Sequence, residues 1–164
     1  MTFEVGPTQD LEHQRWRTAS PFVAIGVVSI VAGGLVAALT RPLELDAGPW
    51  ITAYLVLVNG VAQIGLGAGQ AALVHGAPRP RVVIVEVVAW NTSTTTIIAG
   101  TLIGLPLLTT AGALSLLVAV GCLIRHVPVA PARRRILAVG HWTLAVLIAL
   151  STPVGVLLAW LRHG

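Results

Sequence analysis

The chain has 164 residues, of which 55% are hydrophobic and only 10% are charged. Ordinary soluble proteins carry about 25% charged residues, so this composition argues against a soluble globular domain and favours a protein buried in lipid. The ten basic residues are all arginines, and the formal net charge is +4. They are too few, and too closely confined to the edges of apolar segments, to indicate nucleic-acid binding.

The N-terminal tail, residues 1–19, is polar and too short to bury a core of its own. We expect a cytoplasmic tail followed by a single transmembrane domain at residues 20–164. The first apolar segment ends in small residues, as a cleavable signal peptide does. However, the tail is longer than the usual charged region of a signal peptide, and the apolar segment exceeds the usual 7–15 residues, so we interpret this segment as a membrane span.

Five mainly apolar segments follow one another along the chain. As helices with a rise of ~1.5 Å per residue, they are long enough to cross the ~30 Å hydrocarbon layer of a membrane. The predicted spans are residues 21–40, 51–74, 82–104, 107–124 and 136–160. The sequence therefore predicts an all-α integral membrane protein, a bundle of five transmembrane helices with short loops.

The arginines predict the orientation of these spans. With five spans, the tail, the 75–81 loop and the 125–135 loop share one side of the membrane. The arginines on that side are Arg15, Arg17, Arg79, Arg81, Arg125, Arg133, Arg134 and Arg135. Only Arg41 and Arg162 fall on the other side, so the positive-inside rule predicts a plasma-membrane protein with a cytoplasmic N-terminus and an external C-terminus. We interpret the Arg133–Arg135 cluster as a topology determinant, with binding of anionic lipids as the alternative.

Polar residues follow one face of the second span. At 100° per residue, Thr52, Asn59, Gln63 and Gln70 fall within an arc of about 40°, and such a face is expected to avoid lipid. The third span has a similar face, formed by Glu86, Trp90, Ser93, Ile97, Gly100 and Gly104. The fifth span has a narrow face formed by His141, Ala145, Thr152 and Ala159. We expect these three helices to face one another and the fourth span, which has fewer polar residues, to be peripheral.

Glu86 is the one charged residue clearly inside a span. Holding a carboxylate in a membrane is costly, and such residues often mark functional sites. In the predicted topology Gln70, Glu86 and His141 all lie ~7–9 Å inside the same membrane boundary. We therefore predict an intramembrane polar cluster in which Glu86 lies within hydrogen-bond reach of His141, the best candidate, or Gln70, directly or through one water. A carboxylate and an imidazole in such a cluster could pass a proton.

Helix packing explains the same residues in a different way. Small residues at four-residue spacing, such as Gly65 with Gly69 and Gly100 with Gly104, let helices approach closely. Asn and Gln amides then hydrogen-bond across the helix contact. In this interpretation Glu86 neutralises an arginine of the nearby loops.

Motifs for catalysis or metal binding are absent from the sequence. It has no nucleophile elbow, no phosphate-binding loop and no paired-cysteine or His-Glu pattern, and its lone Cys122 rules out an intrachain disulfide. Haem ligation would need two histidines facing one cavity, and only His141 lies clearly inside a span. We therefore expect no catalytic residue, no metal and no cofactor.

The sequence favours a membrane protein without enzymatic activity. Its leading interpretation is a structural or accessory component, either self-associating or bound to a larger membrane complex. The alternative is a small oligomeric transporter or channel that uses Gln70, Glu86 and His141, and a haem-binding membrane redox subunit comes third. Five spans enclose little volume, so a transport path would require more than one copy. The expected partners are the lipid bilayer and either further copies of the chain or the subunits of a larger membrane complex.

Overall fold

The computed structural model describes residues 7–73, 79–125, 127 and 135–163, and this part of the chain consists of helices and turns without β-strands. The helices are α1 (Pro7–Thr40), α2 (Gly48–Leu73), α3 (Pro80–Leu102), α4 (Pro106–Arg125) and α5 (Arg135–His163). Each contains a stretch long and apolar enough to cross a membrane. The predicted all-helical fold with five such helices is confirmed.

Most helix ends differ from the predicted spans by a few residues, and two of the differences affect the interpretation. α1 begins at Pro7, so much of the N-terminal tail continues the first helix. α3 ends at Leu102, and Gly104 lies in the turn before α4 with φ of 64°. Glycine adopts this left-handed backbone conformation without the steric cost of a side chain. Gly104 therefore shapes a turn and does not extend the packing face of α3 as predicted.

α2 contains a wide helical segment that the sequence analysis did not predict. Its residues Tyr54–Ala62 form a π-helix, and regular α-helix precedes and follows them. Glycines let α1 lie close to this segment: a Cβ atom added at Gly33 would lie 2.7 Å from Val56 Cγ2, and one added at Gly60 would lie 2.5 Å from Ile30 Cγ1. The contact between α1 and α2 thus depends on the absence of side chains on both helices.

The five helices form one bundle with a shared apolar core. α2 packs against α1 and α5, α3 packs closely against α4, and α4 also contacts α5. Fully buried core side chains come from four of the helices, namely Phe22, Leu66, Trp90, Leu116 and Leu123. The bundle has two ends, which we name after a residue at each. The Arg79 end comprises the C-terminus of α2 and the start of α3, and the Trp50 end comprises the start of α2 and the C-terminus of α5.

α4 is not peripheral, and that prediction was wrong. Of its apolar stretch 39% is buried, compared with 22% for α1 and 17% for α5. A Cβ atom at Gly112 would lie 2.9 Å from the backbone nitrogen of Ile97, and one at Gly100 would lie 2.6 Å from that of Thr109. α3 and α4 therefore meet backbone to backbone. Such a contact needs small residues rather than polar ones, so the polarity of α4 did not reveal it.

Large apolar side chains cover the outer surface of the bundle. Examples from each helix are Val28, Leu57, Val85, Leu107 and Leu150, all of which are more than half exposed. A surface of this kind in a soluble monomer would be an extensive apolar patch, whereas it suits helices that face hydrocarbon. The exposed surface is therefore compatible with a membrane protein.

Candidate functional site: a polar seam along α2

The polar residues of α2 lie inside the bundle. Gln63 and Gln70 are fully buried, Asn59 is nearly so, and Thr52 is half-buried with a buried hydroxyl oxygen. They form what we call the polar seam, defined as Thr52, Asn59, Gln63 and Gln70. The seam faces α1, α3 and α5, and its members differ in the partners that they find.

Asn59 joins three helices through its side-chain amide. Its Nδ2 donates to Ser29 Oγ of α1 at 2.9 Å, and Thr94 Oγ1 of α3 donates to Asn59 Oδ1 at 2.9 Å. Ser29 Oγ in turn donates to the backbone oxygen of Ile25 at 2.9 Å. Both polar atoms of the buried amide are thus satisfied, as buried amides require. This contact fixes α2 between its two neighbours.

Glu86 of α3 meets Gln70 at the Arg79 end of the seam. The carboxylate is only 3% exposed, and Gln70 Nε2 donates to Oε2 at 3.0 Å and to Oε1 at 3.3 Å. The structure therefore places these two predicted site residues in direct hydrogen-bond contact. Within the described part of the chain, Gln70 Oε1 is buried and has no hydrogen-bond partner. The amide nitrogen of Gln70 therefore donates to Glu86, and the amide oxygen remains available as an acceptor.

His141 of α5 lies beside this pair without joining it. The ring is 3% exposed and packs against Gly69, where an added Cβ atom would lie 2.5 Å from His141 Nδ1. Neither ring nitrogen has a hydrogen-bond partner among the described residues, so the direct contact between Glu86 and His141 is not formed. Gly69, which lacks a side chain, makes room for the imidazole next to Gln70. His141 is therefore a neighbour of the Glu86–Gln70 pair across α2.

Two further buried polar groups lie near the centre of the bundle. Gln63, between Asn59 and Gln70 on α2, is fully buried, and neither its Nε2 nor its Oε1 has a partner in the described ranges. The same is true of Trp90 Nε1 on α3, whose ring is fully buried. Most buried polar groups in proteins are hydrogen-bonded, and exceptions call for an explanation. These atoms are available to a bound molecule or ion.

The side chains that could ligate a metal or haem lie apart from one another in the described residues. No group of three or more His, Cys, Asp or Glu side chains lies close enough there to hold a metal ion. His141 is buried and His13 is exposed, whereas His75, His126, Arg133, Arg134 and the side chain of His163 lie outside what the structure describes. Thus the described structure offers one of the two histidines that bis-histidine haem ligation requires.

Sequence reasoning missed Ser29 as a partner of Asn59. A signal for it existed: Ser29 and Asn59 are equally distant along the chain from Glu44, which lies in the turn between α1 and α2. Residues placed symmetrically about a helical hairpin turn lie at similar depths, because both helices rise by ~1.5 Å per residue. The pairing could have been predicted from that symmetry.

The fold and the seam together define a class of protein: a five-helix bundle with an apolar exterior and an ionisable group in its interior. No family model, curated protein or solved structure matches this chain. Its function is therefore inferred from the geometry of the seam and from the surface of the bundle.

Proposed function

We propose that the chain is a multi-pass plasma-membrane protein that takes up and releases protons at Glu86, with the polar seam binding the water molecules that carry protons to and from this carboxylate. The observation that carries this proposal is the burial of Glu86 at 3% exposure in contact with Gln70. Ionisable side chains inside membrane bundles are rare and commonly belong to ion or proton pathways. The proposal assigns no enzymatic reaction to the chain.

The Glu86–Gln70 pair suits a group that changes its protonation state. When Glu86 is charged, Gln70 Nε2 donates to its oxygens, which is the arrangement observed. When Glu86 is protonated, its hydroxyl group needs an acceptor, and Gln70 Oε1 is a free acceptor among the described residues. A side-chain amide offers both donors and acceptors. Gln70 can therefore stabilise either state with a small rotation of the carboxyl group or the amide.

The seam has the length that a pathway requires. From Thr52 to Gln70 it extends at most about 27 Å, the length at the ~1.5 Å rise of an α-helix, and less through the wider π segment, so that it covers most of the ~30 Å hydrocarbon layer. Gln63, midway along it, presents an amide without protein partners in the described part of the chain, and His141 lies at the Gln70 end. With the N-terminus in the cytoplasm, Glu86 exchanges protons at the cytoplasmic side.

Proton flux into liposomes tests the proposal. The purified protein is reconstituted with a pH-sensitive dye inside, and a pH gradient is applied together with a potassium ionophore that prevents charge build-up. We expect Glu86→Gln, which preserves shape, to abolish flux, and Gln70→Leu to reduce it strongly. Glu44→Gln is the matched control, because Glu44 is an exposed carboxylate in the α1–α2 turn. Equal flux in Glu86→Gln and the unsubstituted protein would reject the proposal.

A structural or accessory role in a larger membrane complex is the second candidate. It is favoured by Asn59, whose hydrogen bonds hold α1, α2 and α3 together and give this polar residue a structural role. It is also favoured by outward glycines that leave room for another helix. An added Cβ atom at Gly34, Gly121 or Gly140 would meet nothing within 4 Å. Purification under mild conditions separates the candidates: co-purifying foreign subunits favour the accessory role, and a preparation without them that still carries proton flux favours transport. A Soret band in the same preparation would instead promote the redox interpretation.

A further inference from the structure

A second site lies at the Trp50 end of the bundle, away from Glu86. α2, α3, α4 and α5 enclose a cavity of about 280 Å³ there, near the lower end of the ~300–1,000 Å³ typical of ligand pockets. Its deep wall is apolar and includes Ile97, Leu116 and Ile148, and its outer rim includes the exposed side chains of Leu158 and Arg162. The cavity is thus apolar inside and positively charged at its rim.

The hydroxyl groups that line the cavity add little polarity to it. Thr101, Ser151 and Thr152 donate to backbone oxygens of their own helices, at 2.9, 3.1 and 2.7 Å. Side chains bonded in this way present mainly their carbon atoms to the cavity. Tyr54 differs, because its buried hydroxyl has no partner in the part of the chain that the structure describes. The wall therefore offers one free polar group within an apolar lining.

The π-helix of α2 contributes directly to this wall. Tyr54 and Val58 lie within the π segment and line the cavity, and the ring of Tyr54 stacks on that of Trp50 with centroids 5.3 Å apart. Segments of π-helix are rare and occur frequently at functional sites. On the opposite side, Trp160 Nε1 of α5 donates to Thr110 Oγ1 of α4 at 3.1 Å and holds these two helices together.

We propose that this cavity binds one acyl chain of an acidic phospholipid, whose phosphate group pairs with Arg162. Three features select this occupant: an apolar interior, a single cation at the rim, and a position at the end of the spans, where Trp50 and Trp160 suit the level of lipid headgroups. In the described ranges no acidic side chain pairs with Arg162, so its guanidinium is available to a phosphate oxygen. The proposal does not depend on proton transfer at Glu86.

Native mass spectrometry of the delipidated full-length protein tests this proposal. Phosphatidylglycerol and phosphatidylcholine with the same acyl chains are added separately, and the lipid retained per chain is counted. We expect one phosphatidylglycerol per chain, retained about fivefold more strongly than phosphatidylcholine, the factor expected of one basic residue near a membrane surface. Equal retention of the two lipids by the unsubstituted protein would overturn the proposed headgroup contact.

Two pairs of variants locate the lipid. Gly155 lines the cavity, and an added Cβ atom there meets nothing within 4 Å, so Gly155→Phe fills space without a clash at its base. Gly140→Phe is its control, since Gly140 has the same open surroundings on the same helix and does not line the cavity. We expect Gly155→Phe to lose bound lipid and Gly140→Phe to retain it. Retention by a folded Gly155→Phe, judged by circular dichroism, would place the lipid elsewhere.

The charge at the rim is tested separately. Arg162→Gln removes it from an exposed position and should not disturb folding. We expect this variant to bind phosphatidylglycerol and phosphatidylcholine equally. Arg41→Gln, which removes an arginine at the same end of the bundle but outside the cavity lining, should keep the preference. An unchanged preference in Arg162→Gln would refute the role of its guanidinium.

Discussion

At the scale of single residues, two neighbouring amides of α2 differ in their surroundings. Asn59 and Gln63 lie one turn apart on the same buried face. Asn59 bonds to Ser29 and Thr94, whereas Gln63 has no protein partner among the described residues. Interhelical hydrogen bonds in membranes contribute about 0.6 kcal/mol each on average. The two amides should therefore contribute unequally to stability.

Leucine substitutions test this difference. We expect Asn59→Leu to lower the free energy of unfolding by about 1.2 kcal/mol, the sum of two such bonds. Gln63→Leu should leave it unchanged or raise it, because this substitution removes a buried amide that has no partner among the described residues. Ser29 keeps its bond to Ile25 in the first variant, so its hydroxyl is not left unpaired. Unfolding in mixed micelles measures both values. A large loss in Gln63→Leu would mean that Gln63 binds a group that stabilises the fold.

The Glu86–Gln70 pair allows a double-mutant test. Gln70→Leu removes a donor from a buried carboxyl group, which costs about 1–3 kcal/mol. Replacing both residues with leucine removes the buried polar groups together and is expected to cost less than the sum of the two single substitutions. The unfolding free energies of the four proteins give the coupling. Strict additivity would show that the contact at 3.0 Å contributes nothing.

At the scale of helices, glycine positions determine which pairs can approach. At Gly100 an added Cβ atom would lie 2.6 Å from the backbone nitrogen of Thr109, which cannot move without shifting α4. At Gly140 the same atom meets nothing within 4 Å. Two glycines in helices thus have opposite expected responses to the same substitution.

Alanine substitution tests the α3–α4 contact. We expect Gly100→Ala to destabilise the protein by about 1–3 kcal/mol, as overpacking does. Gly140→Ala should stabilise it by up to about 1 kcal/mol, because alanine favours a helix more than glycine does. Thermal unfolding in detergent measures the sign of each change. If Gly100→Ala were also stabilising, the close backbone contact between α3 and α4 would be wrong.

The sequence predicted the helices better than it predicted their arrangement. The apolar segments identified all five helices, because a span of hydrocarbon requires a long apolar stretch. The equal depth of Gln70, Glu86 and His141 predicted a contact of Glu86 with His141 or Gln70, since helix rise fixes depth, and the structure forms the contact with Gln70 rather than with the favoured His141. The position of α4 was missed because Gly112 signals close backbone packing rather than a polar face. The π segment of Tyr54–Ala62 was missed because no single residue type specifies it.

At the scale of the whole molecule, the two proposed sites lie at opposite ends of the bundle. Glu86 and Gln70 lie at the Arg79 end, and the cavity with Tyr54 and Arg162 lies at the Trp50 end. α2 contributes to both sites, because Gln70 bonds to Glu86 at one end of this helix and Tyr54 lines the cavity at the other. In the membrane location that we propose, the direction of the bundle decides which site meets the cytoplasm.

The arginines predict that direction. In the sequence, eight of the ten fall in or next to the tail and the two connections that a five-span topology assigns to one side, whereas only Arg41 and Arg162 fall on the other side. Because basic residues are retained on the cytoplasmic side, we expect the Arg79 end to face the cytoplasm and the C-terminus to lie outside. A phosphatase that is active only outside the cytoplasm, fused after Gly164, should be active, and the same enzyme inserted at residues 126–132 should be inactive. The opposite result would reverse the assigned orientation, so that Glu86 would lie towards the external side and the cavity would lie in the cytoplasmic leaflet.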